Sequence, residues 1–221
     1  MTTNTKDGIT IRPMTEDDLD TVSDFVVNNF LVDEPLTGTI DWTKYPTVKD
    51  KMDEKHRAMR QQGLSLTAVD DNKNGEIVGF CLAVSQTQED LESKLPVIER
   101  SPPEIAAILK LGDYMQRKVD IFKLYGVDKV LYSHMTFVKP GMRGKQVGSR
   151  LAQTLIQLGR TQGFKVMTAM CSSFFSGNQK EALGMKIVFQ QPYAEYKDDE
   201  GKVIFSPPAP HTRARMLAME L

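Results

Sequence analysis

The feature that most limits how this chain can fold is one strand–loop–helix–strand run between Val130 and Cys171. Val130 to Val138 mixes apolar and polar residues in the manner of a strand. Phe164 to Cys171 is continuously apolar after a turn at Gly163. Between them Val147, Leu151, Leu155 and Leu158 fall on one face of a helix. A strand, helix and strand joined so closely form a βαβ unit, with parallel strands and a right-handed crossover.

The flanking segments predict strands without crossovers. Ile9 to Arg12 alternates. Leu64–Val69 and Glu76–Val84 are joined by the turn Asp70–Gly75, and Arg213–Leu221 supplies a last strand. Met185–Tyr196 and Val203–Phe205 read as a hairpin around Asp198–Gly201. Thr15 offers an N-cap to a helix whose Leu19, Val22, Phe25, Val26 and Phe30 share a face. That helix must stop near Glu34, because Pro35 disfavours helical backbone in the residue before it. A charged helix is predicted over Val48–Arg60 and another helix over Ile105–Tyr125, with Ser85–Pro103 between them as a loop. The expected class is α/β (α+β), a mixed sheet of about seven strands flanked by helices.

With 221 residues, 40% of them hydrophobic, the chain can bury a sizeable core as one domain over residues 1–221. Residues 1–7 are polar and expected to be flexible. A net charge of -1 leaves no basic field for nucleic acid or an anionic membrane. Cys81 and Cys171 sit in apolar runs and do not make a secreted disulfide framework. No apolar stretch is long enough to span a bilayer, and a reducing cytoplasm is the expected compartment, with a monomer or weak dimer as the state.

Charge is concentrated at one place. Lys139, Arg143, Lys145 and Arg150 surround Arg143–Gly144–Lys145–Gln146–Val147–Gly148, which links a strand to a helix N-terminus. Such a junction offers unpaired N–H groups of Val147, Gly148 and Ser149 to an anion, and Gly144 and Gly148 permit close approach. Taken alone, such a loop is more often a strand-to-helix turn with solvated charges. It is neither a Walker loop nor a dinucleotide fingerprint.

The segment Val138 to Leu151 resembles the acetyl-CoA signature of GNAT acetyltransferases, Arg/Gln-x-x-Gly-x-Gly/Ala after a strand. Arg143 takes the first position and Gly148 the last, while Gln146 stands where a glycine is usual. Asp33–Glu34–Pro35–Leu36, Cys171–Ser172–Ser173–Phe174–Phe175–Ser176 and Pro208–Ala209–Pro210–His211 are similar, in that order, to segments of insect arylalkylamine N-acetyltransferases. The resemblance implies a GNAT fold, acetyl-CoA as donor and a small-molecule amine as acceptor; no His/Cys/Asp cluster has metal-ligand spacing, so no metal is expected.

It also implies roles. Glu34 matches the family's catalytic glutamate, and Ser172 and Ser176 match serines tied to proton traffic. Phe137 and Val138 would offer main-chain N–H groups to the thioester where their strand splays from its neighbour. Arg143, Gly144, Lys145, Val147, Gly148 and Ser149 would hold the pyrophosphate. From the residues alone, Glu34 is a loop acid, and Ser176 reads as the N-cap of a helix through Leu183. His211 is assigned to loop packing, His134 to a core or pocket position, and His56 to no role. Aromatic residues near the first helix (Phe30, Trp42, Tyr45) and in the hairpin (Phe189, Tyr193, Tyr196) could line an acceptor slot or be plain core. Acetylation of polyamines, agmatine or protein amines, a catalytically silent coenzyme-binding module and a phosphate-binding regulatory domain are the competing readings.

Overall fold

Residues 4–93 and 95–221 are described by a computed structural model. The chain opens with β1 (Asn4–Lys6) and β2 (Ile9–Pro13). The backbone and hydroxyl of Thr15 and the carboxylate of Asp18 then bond reciprocally in a capping box at the start of a 3-10 turn. That turn leads into α1 (Leu19–Phe25), a π-helical turn at Val26–Phe30, and α2 (Leu31–Asp33). Glu34 ends the run in extended backbone, φ -74° and ψ 129°, as Pro35 requires.

Next come α3 (Pro46–Gln61), β3 (Leu66–Asp70), β4 (Glu76–Thr87) and the short helices α4 (Gln88–Glu92) and α5 (Leu95–Glu99). α6 (Pro103–Lys118) and α7 (Ile121–Tyr125) follow. The βαβ unit is β5 (Lys129–Val138), α8 (Val147–Thr161) and β6 (Val166–Cys171). The chain finishes with α9 (Phe174–Ala182), β7 (Lys186–Pro192) and β8 (Arg213–Glu220).

The strands form one mixed sheet of eight in the order β1-β2-β3-β4-β5-β6-β8-β7. Only β5 and β6 pair in parallel, as their helical crossover demands. Alternation along each strand divides the core between two faces. On one, α8 packs Val147, Leu151 and Leu155 against Leu66, Cys81, Leu131, Met167 and Leu217. On the other, α1 and α3 cover Phe80, Leu82, Met135 and Phe137, while α6 covers Val130, Val166 and Met216.

Several expectations need correction. The sheet gains an edge strand, because Asn4–Lys6 pairs with Ile9–Ile11 instead of lying free. Buried Arg150 holds that edge, donating to the carbonyls of Asn4, Lys6 and Ile9 at 2.8–3.1 Å. The rest of the segment expected to be flexible, residues 1–3, lies outside the described residues. The 85–103 loop instead continues β4 to Thr87, whose hydroxyl accepts from Asp90 N and opens α4. The helix expected over 105–125 breaks where Asp120 caps α7. Val203 makes only an isolated bridge to Lys197.

His56 is also buried rather than solvated, at 3% exposure, and its Nδ1 has no hydrogen-bond partner among the described residues. Burial, helped by the charge of Lys55 and opposed by Asp53, pushes its pKa down to about 4. The imidazole is therefore neutral in the fold, whereas in the unfolded chain it takes a proton below about pH 6.5. Stability from this residue is present above that pH and is lost as pH falls toward 4. We expect it to account for about 2 kcal/mol of lost stability between pH 7 and pH 5. Denaturant unfolding of the wild type and His56→Gln at both pH values checks this; equal losses in the two proteins would refute it.

Candidate active site

The site is set by where β5 and β6 part. Their ladder pairs Leu131 with Met167, Tyr132 with Thr168 and Ser133 with Ala169, and ends there. On the β4 side the register passes from Ser133 to Met135, so His134 is the extra residue of a bulge that bends β5. From Met135 onward β5 follows β4 and leaves a gap beside β6. Lys139 N donates to Val78 O at 2.9 Å, and main-chain groups alternate sides along a strand. Phe137 therefore turns its N–H toward β4, and Val138 turns its own toward the gap. Of the two main-chain donors expected there, only Val138 faces the opening.

The basic loop closes one rim. Gly144 is left-handed (φ 79°), and Gln146, the N-cap of α8, takes the same conformation (φ 61°) that a glycine adopts freely. Gln146 thus reproduces the turn that the usual glycine makes. Its side chain makes no capping bond, and Arg150 is the first residue whose N–H reaches back, to Gln146 O at 2.9 Å. The N–H groups of Val147, Gly148 and Ser149 point out of the helix with its positive dipole end. A Cβ on Gly148 would lie 2.6 Å from Gln179 Nε2 and 3.5 Å from Val138 Cγ2, so α8, α9 and β5 converge there. Such a recess can receive an anionic group.

The basic cluster itself is dispersed. Lys139 pairs with Glu76, Arg143 with Asp33, and Arg150 faces β1. Lys145 is exposed and meets only the Met142 sulfur, at 3.7 Å, among the described residues.

Glu34 closes the opposite rim. Its Oε2 accepts from the N–H groups of Leu36 and Thr37, both at 2.8 Å, and its Oε1 accepts from the hydroxyl of Ser172. Gly38 permits this tight loop, since a Cβ there would lie 2.6 Å from Val32 O. Ser172 follows the last residue of β6, so Glu34 is fastened to the end of one diverging strand. Asp33, through Arg143, is fastened to the loop after the other. The carboxylate is fixed in direction by three donors, with acceptor capacity left on Oε1.

Tyr193 was expected only as slot lining, but it does more. Its hydroxyl donates to Ser172 O at 2.6 Å. Burial, with the Glu34 charge second, raises the phenol well above the usual tyrosine range, so it remains a donor.

Ser176 is not the cap expected from the sequence. Ser173 is the N-cap of α9, accepting from Phe175 N at 3.2 Å. Ser176 sits inside the first turn, donating to Ser173 O at 3.1 Å, with its hydroxyl beside the Cys171 thiol. His211 Nδ1 accepts the first N–H of α9, from Phe174, at 3.1 Å, a structural role. The candidate slot aromatics divide between Phe30 and Trp42 on the α1 side and Phe189, Tyr193 and Tyr196 on the α6 side. A cavity of about 230 Å³ lined by Gln86, Val130 and Thr168 lies at the other end of β5, away from Glu34.

The model of the Acetyltransferase (GNAT) family matches residues 34–179, from Glu34 to the second turn of α9. The chain belongs to that family. GNAT enzymes use acetyl-CoA, and the uncapped N-terminus of α8 with the glycine-lined cradle beside it fits a pyrophosphate. Among solved structures, the chain is similar to arylalkylamine N-acetyltransferase 2 from Aedes aegypti, at 22% identity over 97% of this chain and 99% of the other, TM-score 0.88. It is similar to mosquito arylalkylamine N-acetyltransferase like 5b, at 25% identity over 96% and 100%, TM-score 0.84. It is also similar to the Drosophila melanogaster polyamine N-acetyltransferase that forms N-acetylagmatine, at 22% identity over 96% and 100%, TM-score 0.84. The mixed eight-stranded sheet is the GNAT fold.

For this GNAT chain the two serines can be separated by stability. Ser173→Ala should cost about 1 kcal/mol and lower the melting temperature by roughly 2–4 °C. Ser176→Ala should lower it by less than half as much. Calorimetry that finds the larger loss at Ser176 would return the cap to that residue.

Proposed function

We propose that this GNAT acetyltransferase transfers an acetyl group from acetyl-CoA to the primary amine of a small arylalkylamine, with Glu34 as general base. The observation that carries the reading is the Glu34 carboxylate. Three hydrogen bonds hold it at the mouth of the β5/β6 gap, across from Val138 and the α8 N-terminus.

An alkylammonium with a lysine-like pKa leaves only about one molecule in 10³ nucleophilic at pH 7, a cost of about 4–5 kcal/mol. Acetyl-CoA, once bound, supplies an activated thioester carbonyl. Val147, Gly148 and Ser149 hold its pyrophosphate through their N–H groups, joined by Arg143 and Lys145 as cations and by Gly144, which permits close approach. Val138 aims its N–H at the carbonyl oxygen, where a donor to developing negative charge typically contributes about 3–4 kcal/mol. Glu34 receives the ammonium proton, directly or through the Ser172 hydroxyl it already holds. Tyr193 fixes Ser172 from behind. Ser176, beside Cys171, is the second serine of the proton path.

The aryl preference rests on the aromatic residues flanking Glu34 on both sides and on the likeness to insect enzymes named for arylalkylamines. The equal likeness to the enzyme that forms N-acetylagmatine makes a polyamine acceptor the second reading.

Thiol release from acetyl-CoA with dopamine, tryptamine, histamine, agmatine, spermidine and a lysine peptide tests the acceptor. Turnover confined to the arylalkylamines is expected. Turnover with agmatine or spermidine alone moves the acceptor class, the peptide alone makes it a protein acetyltransferase, and binding without release refutes catalysis. Glu34→Gln should reduce kcat/KM for the amine about 10²- to 10⁴-fold at neutral pH and recover part of it at alkaline pH, where the amine deprotonates in solution. An unchanged pH profile would remove Glu34 as base. Arg143→Ala should raise KM for acetyl-CoA more than KM for the amine, and equal rises would dissociate Arg143 from the pyrophosphate.

A further inference from the structure

We propose that Lys180 is a further catalytic residue, the cation that receives the sulfur of departing coenzyme A at the vertex of the β5/β6 gap. The inference rests on the acetyl-CoA reading above and concerns a residue to which that reading gives no part.

Lys180 lies on the inner face of α9, only 3% exposed, with its Nζ 3.1 Å from the hydroxyl of Ser133. Ser133 is itself buried and is the last β5 residue paired with β6. Its partner is Ala169, whose small side chain leaves the Lys180 stem room to cross β6. The ammonium therefore ends where the two strands part, on the face covered by α8 and α9. Val138 and the α8 cradle belong to that same face, while the Glu34 loop approaches from the other.

A buried ammonium is costly unless an anion meets it. Among the described residues Lys180 has no carboxylate partner. Glu181, its neighbour on α9, is taken by Arg215 of β8, which also donates to Asn178 Oδ1 at 2.8 Å and Phe174 O at 2.9 Å. The remaining titratable groups facing this point are thiols, Cys81 of β4 and Cys171 of β6. Cys81 lies 3.8 Å from Ser133 Oγ and 3.4 Å from the Thr136 hydroxyl. Burial holds the Cys171 thiol above the ordinary thiol range, so it supplies no thiolate. Hydroxyls and thiols line the vertex, and the anion that would complete it comes from outside. The reaction makes one such anion there.

As the amine nitrogen bonds to the carbonyl carbon, the carbon–sulfur bond breaks and sulfur keeps the electron pair. A neutral serine can only hydrogen-bond that thiolate, whereas the Lys180 ammonium both bonds and neutralises it. Of the two protons the alkylammonium loses, one leaves through Glu34 to solvent. Lys180 delivers a proton to sulfur, and its own is restored by the second.

Titration calorimetry of coenzyme A and desulfo-coenzyme A, at pH 7.5 in two buffers of different ionisation enthalpy, tests this without turnover. The wild type should bind coenzyme A about tenfold more tightly than the desulfo form, the effect at pH 7.5 of lowering a thiol pKa of about 8.5 by about two units. It should also release a proton on binding only the former. Lys180→Met should bind both equally, with no proton release and with unchanged affinity for the desulfo form, which controls for folding. Lys180→Arg should keep part of the preference. A wild type without preference or proton release overturns the proposal, and so does a Lys180→Met protein that retains them. Should the wild type bind neither compound, the acetyl-CoA reading itself fails, and the role of Lys180 falls with it.

Discussion

The parting of β5 from β6 is the constraint on which the rest of this structure depends. A parallel pair joined by one helix is continuous as long as both strands keep register. Here the extra residue at His134 bends β5 to follow β4, and the ladder with β6 ends at Ser133 and Ala169. The opening passes between two helical layers, so it can be entered from either face. One face carries the N-terminus of α8, with its unsatisfied N–H groups. The other carries the end of α2 and its acidic loop. A donor and an acceptor can thus approach from opposite sides and meet only in the gap, which sequential binding to one shared surface would not allow.

An opening in a sheet is also a weakness, and the ends of the diverging strands are tied across it. Asp33 reaches Arg143 after β5, and Glu34 reaches Ser172 after β6. The tie through Arg143 joins half-exposed groups and by itself contributes little stability. Its consequence is positional. It sets the acidic loop against the basic one, so Glu34 and the N-terminus of α8 share a frame.

Local rules made the central unit readable. The helical face of Val147, Leu151, Leu155 and Leu158 and the apolar run into Cys171 both formed as their periodicity predicts. Pro35 ended the first helix at Asp33, leaving Glu34 extended. What could not be read depended on distant partners. Three polar residues at Asn4–Lys6 become a strand only because Arg150, remote in sequence, satisfies their carbonyls. Ser173 and Ser176 are both acceptable caps by residue type, and His211, arriving from beyond β7, takes the helix end that Ser173 opens. The cluster of lysines and arginines around the α8 loop looked concentrated along the chain, yet in space each long side chain leaves in its own direction. The burial of His56 and Lys180 had no sequence signal either.

Gln146 illustrates why such a loop tolerates a departure from its usual residue. A left-handed backbone costs a side-chain-bearing residue roughly 1–2 kcal/mol relative to glycine. Part of that is offset, because glycine is the more disordered residue in the unfolded chain. The conformation is therefore affordable wherever the surrounding turn enforces it, and Gly144 shares the reversal. What the anion requires is the direction of the N–H groups that follow, and that direction is fixed by the backbone of Gln146 whatever side chain it carries. A pattern of glycines is thus a proxy for a pattern of φ angles, and the residues whose lack of a Cβ matters directly are those packed at a convergence, as Gly148 is between Gln179 and Val138.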